Sequence, residues 1–181
     1  MKKLLIGAIV GGILIFAWQF LSWTVLNLHG SMATYTPKQD SVMTVLNDQF
    51  SEDGFYMMPG YKPGTSREEM EKQMKEMDGK PWAQVYYHKA MKMNMVSNMI
   101  RGLVVNIVMV ALLCWILLKF NAPGFSTILV ASLFTGIIGF FNIPYTYHIW
   151  YQTTDVMAYF TDALVGFGVC GIWLGWWLRR K

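Results

Sequence analysis

Four long apolar runs dominate the chain, and one long polar segment separates the first run from the second. The runs cover residues 4–26, 99–118, 126–141 and 156–178. A helix needs about 20 apolar residues to cross the ~30 Å hydrocarbon core of a bilayer, whereas a spanning strand needs only about ten. The pattern therefore predicts an all-α membrane protein built as a four-transmembrane-helix bundle. The first run is longer than the ~7–15 residues of a cleaved signal core, so we expect it to remain as an anchor.

The polar segment between the first two runs predicts a small α+β or mainly helical periplasmic cap. An apolar stripe at helical spacing over residues 42–50 predicts one helix, and Ser66 followed by Glu69 forms a capping box for a second. Residues 55–58 and 82–87 resemble short strands. The stretch from His88 onward is expected to continue as helix into the second span. We therefore predict the first transmembrane helix in residues 1–28, the cap in 29–98, and transmembrane helices two to four in 99–181.

Composition and charge define the topology. Of 181 residues, 54% are hydrophobic and 14% are charged, whereas about a quarter are charged in typical soluble proteins. In a four-span topology, the basic residues in the short flanks all fall on one side. They are Lys2, Lys3, Lys119, Arg179, Arg180 and Lys181. The positive-inside bias makes that side cytoplasmic, which predicts a multi-pass membrane protein with both termini in the cytoplasm.

This charge pattern also limits the partners. The outer polar segment carries eight basic and nine acidic residues, so the net charge of +4 belongs to the cytoplasmic ends. It gives no support for a nucleic-acid partner, and the lipid bilayer is the expected one. The two cysteines, Cys114 and Cys170, lie within predicted spans, so a disulfide does not stabilise the cap. A cap of about 70 residues without disulfides is marginally stable alone. We therefore expect it to rest on the membrane helices or on other membrane-protein subunits.

Ionisable residues near the predicted outer surface are the first candidate site. Asp162 lies about seven residues, or ~10 Å, inside the fourth run, where a carboxylate costs a few kcal/mol. His148, Asp155 and Asp162 recur at intervals of about two helical turns, and Tyr159 lies near the same helix face. The topology brings two further residues, His29 and Arg101, to the same level.

Two interpretations of these residues remain open. They could form an outer-leaflet pocket for a polar or anionic small molecule, a metal or a proton, with Arg101 as the counter-ion of Asp162. Alternatively, Asp162 pairs with Arg101 or with neighbouring polar groups and only holds the helices together. The sequence does not distinguish a functional Asp162 from a structural one.

Methionine gives a second candidate site. Most of the 14 Met residues precede the second span, and on a continuous helix His88, Met91, Met95 and Met99 would form one stripe. Thioethers and imidazole are soft ligands that suit Cu(I), so copper is a candidate cofactor. Flexible apolar packing explains methionine at helical spacing equally well, including Met70, Met74 and Met77 in the cap.

Small residues allow helices to approach closely in membranes. Those at suitable spacing are Gly7, Gly11, Gly139, Gly171 and Gly175. We expect them to pack the four helices on each other or to dock a neighbouring subunit. The sequence contains no Walker-type phosphate loop, His-Glu-x-x-His motif, Gly-x-Ser-x-Gly turn or Cys-x-x-Cys motif, so it does not indicate an enzyme of those classes.

Three segments resemble a group of small bacterial inner-membrane proteins of uncharacterised function, which have four spans and a periplasmic insert after the first. They are the helix with Trp18 and Trp23 that leads to His29, the segment 54–60, and residues 144–166. The Lys-, Glu- and Met-rich insert at residues 65–95 is longer than in that group. The resemblance implies a topology and carries no activity.

The sequence thus leads to three functional hypotheses. The first is a non-enzymatic accessory or interaction subunit of a larger envelope complex. The second is a small binding or transport protein, with or without an enzymatic step, whose polar pocket surrounds Asp162. The third is copper handling on the periplasmic side by the methionine and histidine stripe.

Overall fold

A computed structural model describes residues 1–180 and is mostly helical, with one small sheet. The predicted basic residue Lys181 lies outside the described residues. The elements, in chain order, are α1 (Lys2–Phe20), α2 (Gln39–Gln49), β1 (Gly54–Met58), α3 (Arg67–Met77), β2 (Ala83–Tyr87), α4 (Met95–Leu117), α5 (Phe125–Phe140), α6 (Thr146–Tyr151) and α7 (Val156–Trp177).

Within residues 1–180, four helical segments are long and apolar enough to cross a membrane, and the chain is a multi-pass membrane protein. These segments are Lys2–Val25, Met95–Leu117, Phe125–Tyr151 and Val156–Trp177. The first contains α1 and a π-helical turn at Leu21–Val25. Apolar side chains cover these helices all round, as expected for segments that face lipid on one side and each other on the other side.

The third segment is longer than the sequence pattern predicts. The expected end was at residue 141, near Pro144, but a π-helical turn at Phe141–Tyr145 carries the chain directly into α6. Proline lacks an N–H group and clashes with the preceding turn of an α-helix. The wider π turn accommodates Pro144 without ending the helix, which explains the difference.

The chain divides into two compact units. The membrane unit contains Met1–Thr34 and the chain from Asn94 onward, and the insert unit contains Tyr35–Met93. The predicted cap, residues 29–98, therefore differs from the insert unit at both ends. Residues 29–34 group with the helices because His29 bonds to α7, and the last residues of the predicted cap already belong to α4.

Small residues let the membrane helices pack closely. Gly7 and Gly11 of α1 face Cys114 and Val110 of α4, where an added Cβ would lie 3.2 and 2.8 Å from the nearest side-chain atoms. On α7, Gly171 and Gly175 face Ser132 and Phe125 of α5. These four predicted packing residues thus lie between helices of the same chain.

The fifth predicted packing residue, Gly139, does not lie at a contact. An added Cβ there would meet nothing within 4 Å, whereas at Gly136 it would lie 2.6 Å from the carbonyl oxygen of Ala163. The close contact of α5 with α7 is therefore one helical turn from the predicted position.

The insert unit contains a two-stranded antiparallel sheet, whose strands are joined by the segment that carries α3. β1 pairs with β2 from Gly54 opposite Tyr87 to Met58 opposite Ala83. As the capping box predicts, the Ser66 hydroxyl accepts a hydrogen bond from the backbone N–H of Glu69, 3.3 Å away, at the start of α3.

Candidate functional site

A tight turn after the first span directs His29 back toward the bundle. Asn27 has a left-handed backbone (φ 49°), which ends the helix, and the backbone N–H of Leu28 donates to the carbonyl of Ser22, 2.9 Å away. Ser31 and Thr154 then exchange two hydrogen bonds between their hydroxyls and backbone carbonyls. These bonds hold the turn against the connection between α6 and α7.

His29 lies between two carboxylates of that neighbouring segment. Its Nδ1 is 3.0 Å from Oδ2 of Asp155, the residue preceding α7, and its Nε2 is 3.0 Å from Oδ2 of Asp162, within α7. His29 is only 4% exposed and Asp155 5%. Because Asp155 and Asp162 are separated by about two helical turns, one imidazole ring can contact both carboxylates.

Aromatic side chains enclose this group. Trp23 stacks on His29 with ring centroids 3.9 Å apart, and Tyr159 contacts the His29 ring edge-on at 4.7 Å. The Trp18 indole N–H donates to Oδ1 of Asp162, 3.0 Å away. We refer to the set His29, Asp155, Asp162, Trp18, Trp23 and Tyr159 as the His29 cluster.

The two short contacts of His29 fix a minimum number of protons. Each nitrogen-to-oxygen contact needs one hydrogen, so the three ionisable groups share at least two protons in this geometry. They are either on an imidazolium between two carboxylates, or on a neutral imidazole and one carboxylic acid. Indole is only a donor, so Oδ1 of Asp162 accepts and a proton on Asp162 would lie on Oδ2. With one proton fewer, an imidazole lone pair would face a carboxylate and one contact would be lost.

Two predicted members of the site lie elsewhere. Arg101 makes no ion pair anywhere in residues 1–180, so its predicted pairing with Asp162 is wrong. It lines a groove together with Gln19 and Asn98. His148 is on α6 and donates from Nδ1 to the carbonyl of Thr153, 2.9 Å away.

His148 is separated from Asp155 because the helix does not continue between them. Gln152 adopts a left-handed backbone (φ 48°) and ends α6, and α7 begins only at Val156. The seven-residue spacing therefore places Asp155 and Asp162 on one face but does not extend that face to His148.

The predicted copper stripe is also interrupted. α4 begins at Met95, so His88 and Met91 are not part of a helix that continues into the second span, and that prediction is wrong. His88 instead lies 3.3 Å from Asp53 through its Nδ1. Copper binding itself stays a prediction.

Three methionines line a cleft in the insert unit. A cleft of roughly 1130 Å³ is lined by Met57 of β1 and by Met74 and Met77 of α3, together with Tyr61 and Trp82. Met74 and Met77 are on the predicted α3 face. In residues 1–180, no group of three or more His, Cys, Asp or Glu side chains is arranged to hold a metal ion.

A hydrogen bond also links Asp53, which precedes β1, to the chain just after β2. The backbone N–H of Lys89 donates to Oδ1 of Asp53, 2.9 Å away, just beyond the end of β2. This bond, together with the bond from His88, lowers the pKa of Asp53 below its ordinary value.

Sequence reasoning assigned Trp18 and Trp23 to the helix leading to His29 but missed their contacts. For Trp18, its position in the sequence could have indicated the contact with Asp162. Trp18 lies about seven residues, or ~10 Å, before the end of the first span, and Asp162 lies at the same depth after Asp155. A buried carboxylate needs a donor at its own depth, and Trp18 is placed to provide one. The stacking of Trp23 depends on the turn at Asn27 and has no such signal.

Comparisons with known proteins give no relative from which a function could be transferred. No family model, no curated protein and no solved structure matches the chain. A function must therefore be inferred from geometry. Among the residues that the structure describes, the His29 cluster is where a buried histidine meets carboxylates of a separate segment.

Proposed function

We propose that this is a proton-responsive protein of the bacterial inner membrane, in which the His29 cluster binds and releases a proton. The observation that carries the proposal is the bridging position of His29, 3.0 Å from a carboxylate on each side. Imidazole exchanges protons in the physiological range, and histidine and carboxyl groups are the usual components of intramembrane proton sites.

We further propose that the cluster lies at the periplasmic end of the bundle, with both chain termini in the cytoplasm. The basic residues support this orientation. Lys3 donates to the backbone carbonyls of Leu178 and Arg180, which brings the basic chain ends together. Lys119 follows α4 at the same end, opposite the cluster. The positive-inside bias assigns such an end to the cytoplasm.

Proton release would act on the turn that carries His29. With fewer than two shared protons, one of the two His29 contacts is lost, since the nitrogen no longer has a hydrogen to donate. The turn after the first span would then be held to α7 by one side-chain contact and by the bonds between Ser31 and Thr154. Periplasmic pH would thereby control how tightly this turn is held.

Histidine-selective ¹⁵N labelling tests this proposal, because the protein contains only three His residues. We would record imidazole NMR spectra of the full chain in micelles from about pH 4 to pH 9, the range in which imidazole and carboxyl groups titrate. His29→Gln assigns the His29 signals. We expect the His29 signals to change across this range, and the backbone amides of residues 27–31 to lose protection against exchange, relative to the intrinsic rate at each pH, after proton loss.

Two carboxylate variants and one control variant distinguish proton binding at the His29 cluster from a general effect of pH on the protein. Asp155→Asn and Asp162→Asn each remove a charge beside His29 and should move its titration, whereas His148→Gln should leave it unchanged. If the His29 signals are the same across this range, or titrate without any change in the turn, the proposed function is wrong.

The accessory-subunit function is a second candidate, and the position of Gly139 favours it. An added Cβ at this residue of α5 would meet nothing within 4 Å, and Phe134 and Ile138 beside it are exposed. A small residue on an exposed apolar helix face lets the backbone of another helix approach closely. We propose this face as the one that a partner subunit would use.

Native mass spectrometry of the tagged protein, released gently from its own membranes, tests the second candidate. A stable heteromeric mass that is lost with Gly139→Leu but kept with Gly124→Leu would support it. A solitary chain in every preparation would eliminate it.

A further inference from the structure

A polar groove between α1 and α4 contains a cation that pairs with no acid. The groove has a volume of roughly 320 Å³, and Gln19, Asn98 and Arg101 lie along it. Arg101 is exposed and forms no ion pair within residues 1–180. It is also an exception to the positive-inside pattern, because it is at the end of the bundle opposite Lys3 and Lys119.

Three side chains of this groove offer hydrogen-bond donors that the described part of the chain leaves unused. They are the Arg101 guanidinium, the side-chain amide of Asn98, and the N–H groups of Gln19. Gln19 uses only its oxygen, which accepts from the side-chain N–H of buried Asn106, 2.7 Å away. That bond fixes the amide of Gln19 with its nitrogen available. Several donors around one guanidinium match the oxygens of a phosphate group.

The groove becomes more apolar along α4, where the remaining polar residue, Asn106, is buried and already bonded to Gln19. Asn98, Arg101, Val105 and Met109 follow one another at helical spacing on the groove side. From Asn98 to Met109 the helix rises about 16 Å, close to the ~15 Å depth of one hydrocarbon leaflet. Gly102 adds no side chain beside Arg101, and an added Cβ there would reach the Phe16 ring of α1 at 3.5 Å, so a side chain at this position would fill the groove.

We propose that this groove binds an anionic phospholipid, with the phosphate at Arg101, Asn98 and Gln19 and an acyl chain along Val105 and Met109. The order of polarity along the groove matches that of a lipid in the adjacent leaflet. A free inorganic anion would leave the apolar half of the groove without a ligand. The proposal is independent of the His29 cluster, whose residues are not part of the groove.

The test is lipid retention by the full chain in native mass spectrometry. Protein in a neutral detergent is supplied with phosphatidylglycerol or with phosphatidylcholine of the same acyl chains. We expect the wild type to retain phosphatidylglycerol preferentially. Arg101→Gln should lower that retention about ten-fold or more, because it removes a charge-assisted contact. Since Arg101 is exposed and unpaired within the described chain, this substitution is not expected to disturb folding.

Two further variants complete the design. Lys119→Gln removes a cation at the opposite end of the bundle and should leave retention unchanged. Gly102→Phe keeps the charge but fills the groove, and should lower retention as Arg101→Gln does. Equal retention of both lipids by the wild type, or equal loss with Lys119→Gln, would overturn the proposal. Displacement of bound phosphatidylglycerol by millimolar inorganic phosphate would overturn it in favour of a free-anion site.

Discussion

Replacing His29 by phenylalanine tests how strongly the His29 cluster holds the bundle together. Phenylalanine can keep the stacking on Trp23 but loses both nitrogen-to-carboxylate contacts, each 3.0 Å long. A hydrogen bond to a charged group contributes about 1.5–3 kcal/mol, and removal of one partner from a buried ion pair costs about 3–5 kcal/mol. Because Asp155 is 5% exposed and cannot recover its solvation in water, we expect a loss of ~3–5 kcal/mol in the free energy of unfolding at neutral pH.

The measurement is reversible unfolding by an anionic detergent in mixed micelles, followed by circular dichroism. His148→Phe is the matched control, because His148 is partly buried and its Nδ1 contacts only neutral groups, the backbone carbonyl of Thr153 at 2.9 Å and the Thr153 hydroxyl at 3.4 Å. A hydrogen bond to a neutral group contributes about 0.5–1.5 kcal/mol.

Equal losses for the two variants would refute the reasoning. A loss below about 1 kcal/mol for His29→Phe, the usual size of side-chain hydrogen bonds within membranes, would mean that the cluster behaves as an ordinary polar contact.

Two further predictions concern packing and the insert unit. Gly12→Ala should lower the free energy of unfolding by about 1–3 kcal/mol in the same assay, because its Cβ would lie 2.7 Å from the backbone of Ile107, whereas Gly139→Ala should have little effect. The pKa of Asp53 is held below its ordinary value of 3.8 by the Lys89 N–H, so its contribution to stability is present above that value and is lost as pH falls through the lower, folded-state pKa. The protection of β2 amides against hydrogen exchange, relative to the intrinsic exchange rate at each pH, should therefore fall in strong acid in the wild type, and Asp53→Asn should remove that dependence. An identical acid profile in both proteins would contradict this assignment.

The sequence was sufficient to predict the features that depend on local composition. Four apolar runs determine four spanning helices, because no other backbone arrangement of that length satisfies its hydrogen bonds in lipid. The capping box at Ser66 likewise predicts the start of α3, since it acts within one helical turn. The spacing of Asp155 and Asp162 places both carboxylates on one helix face for the same reason.

The sequence did not determine which side chains meet across the bundle. Arg101 and His29 both lie at the level of Asp162, and only the packing of α1 against α7 and the turn at Asn27 select His29 as its partner. His148 does not share the helix face of Asp155 and Asp162, because α6 ends at Gln152. Helix composition and depth are local properties that a sequence carries, whereas the rotation of each helix and the direction of a turn depend on contacts between distant residues. The tertiary structure therefore decided the membership of the site.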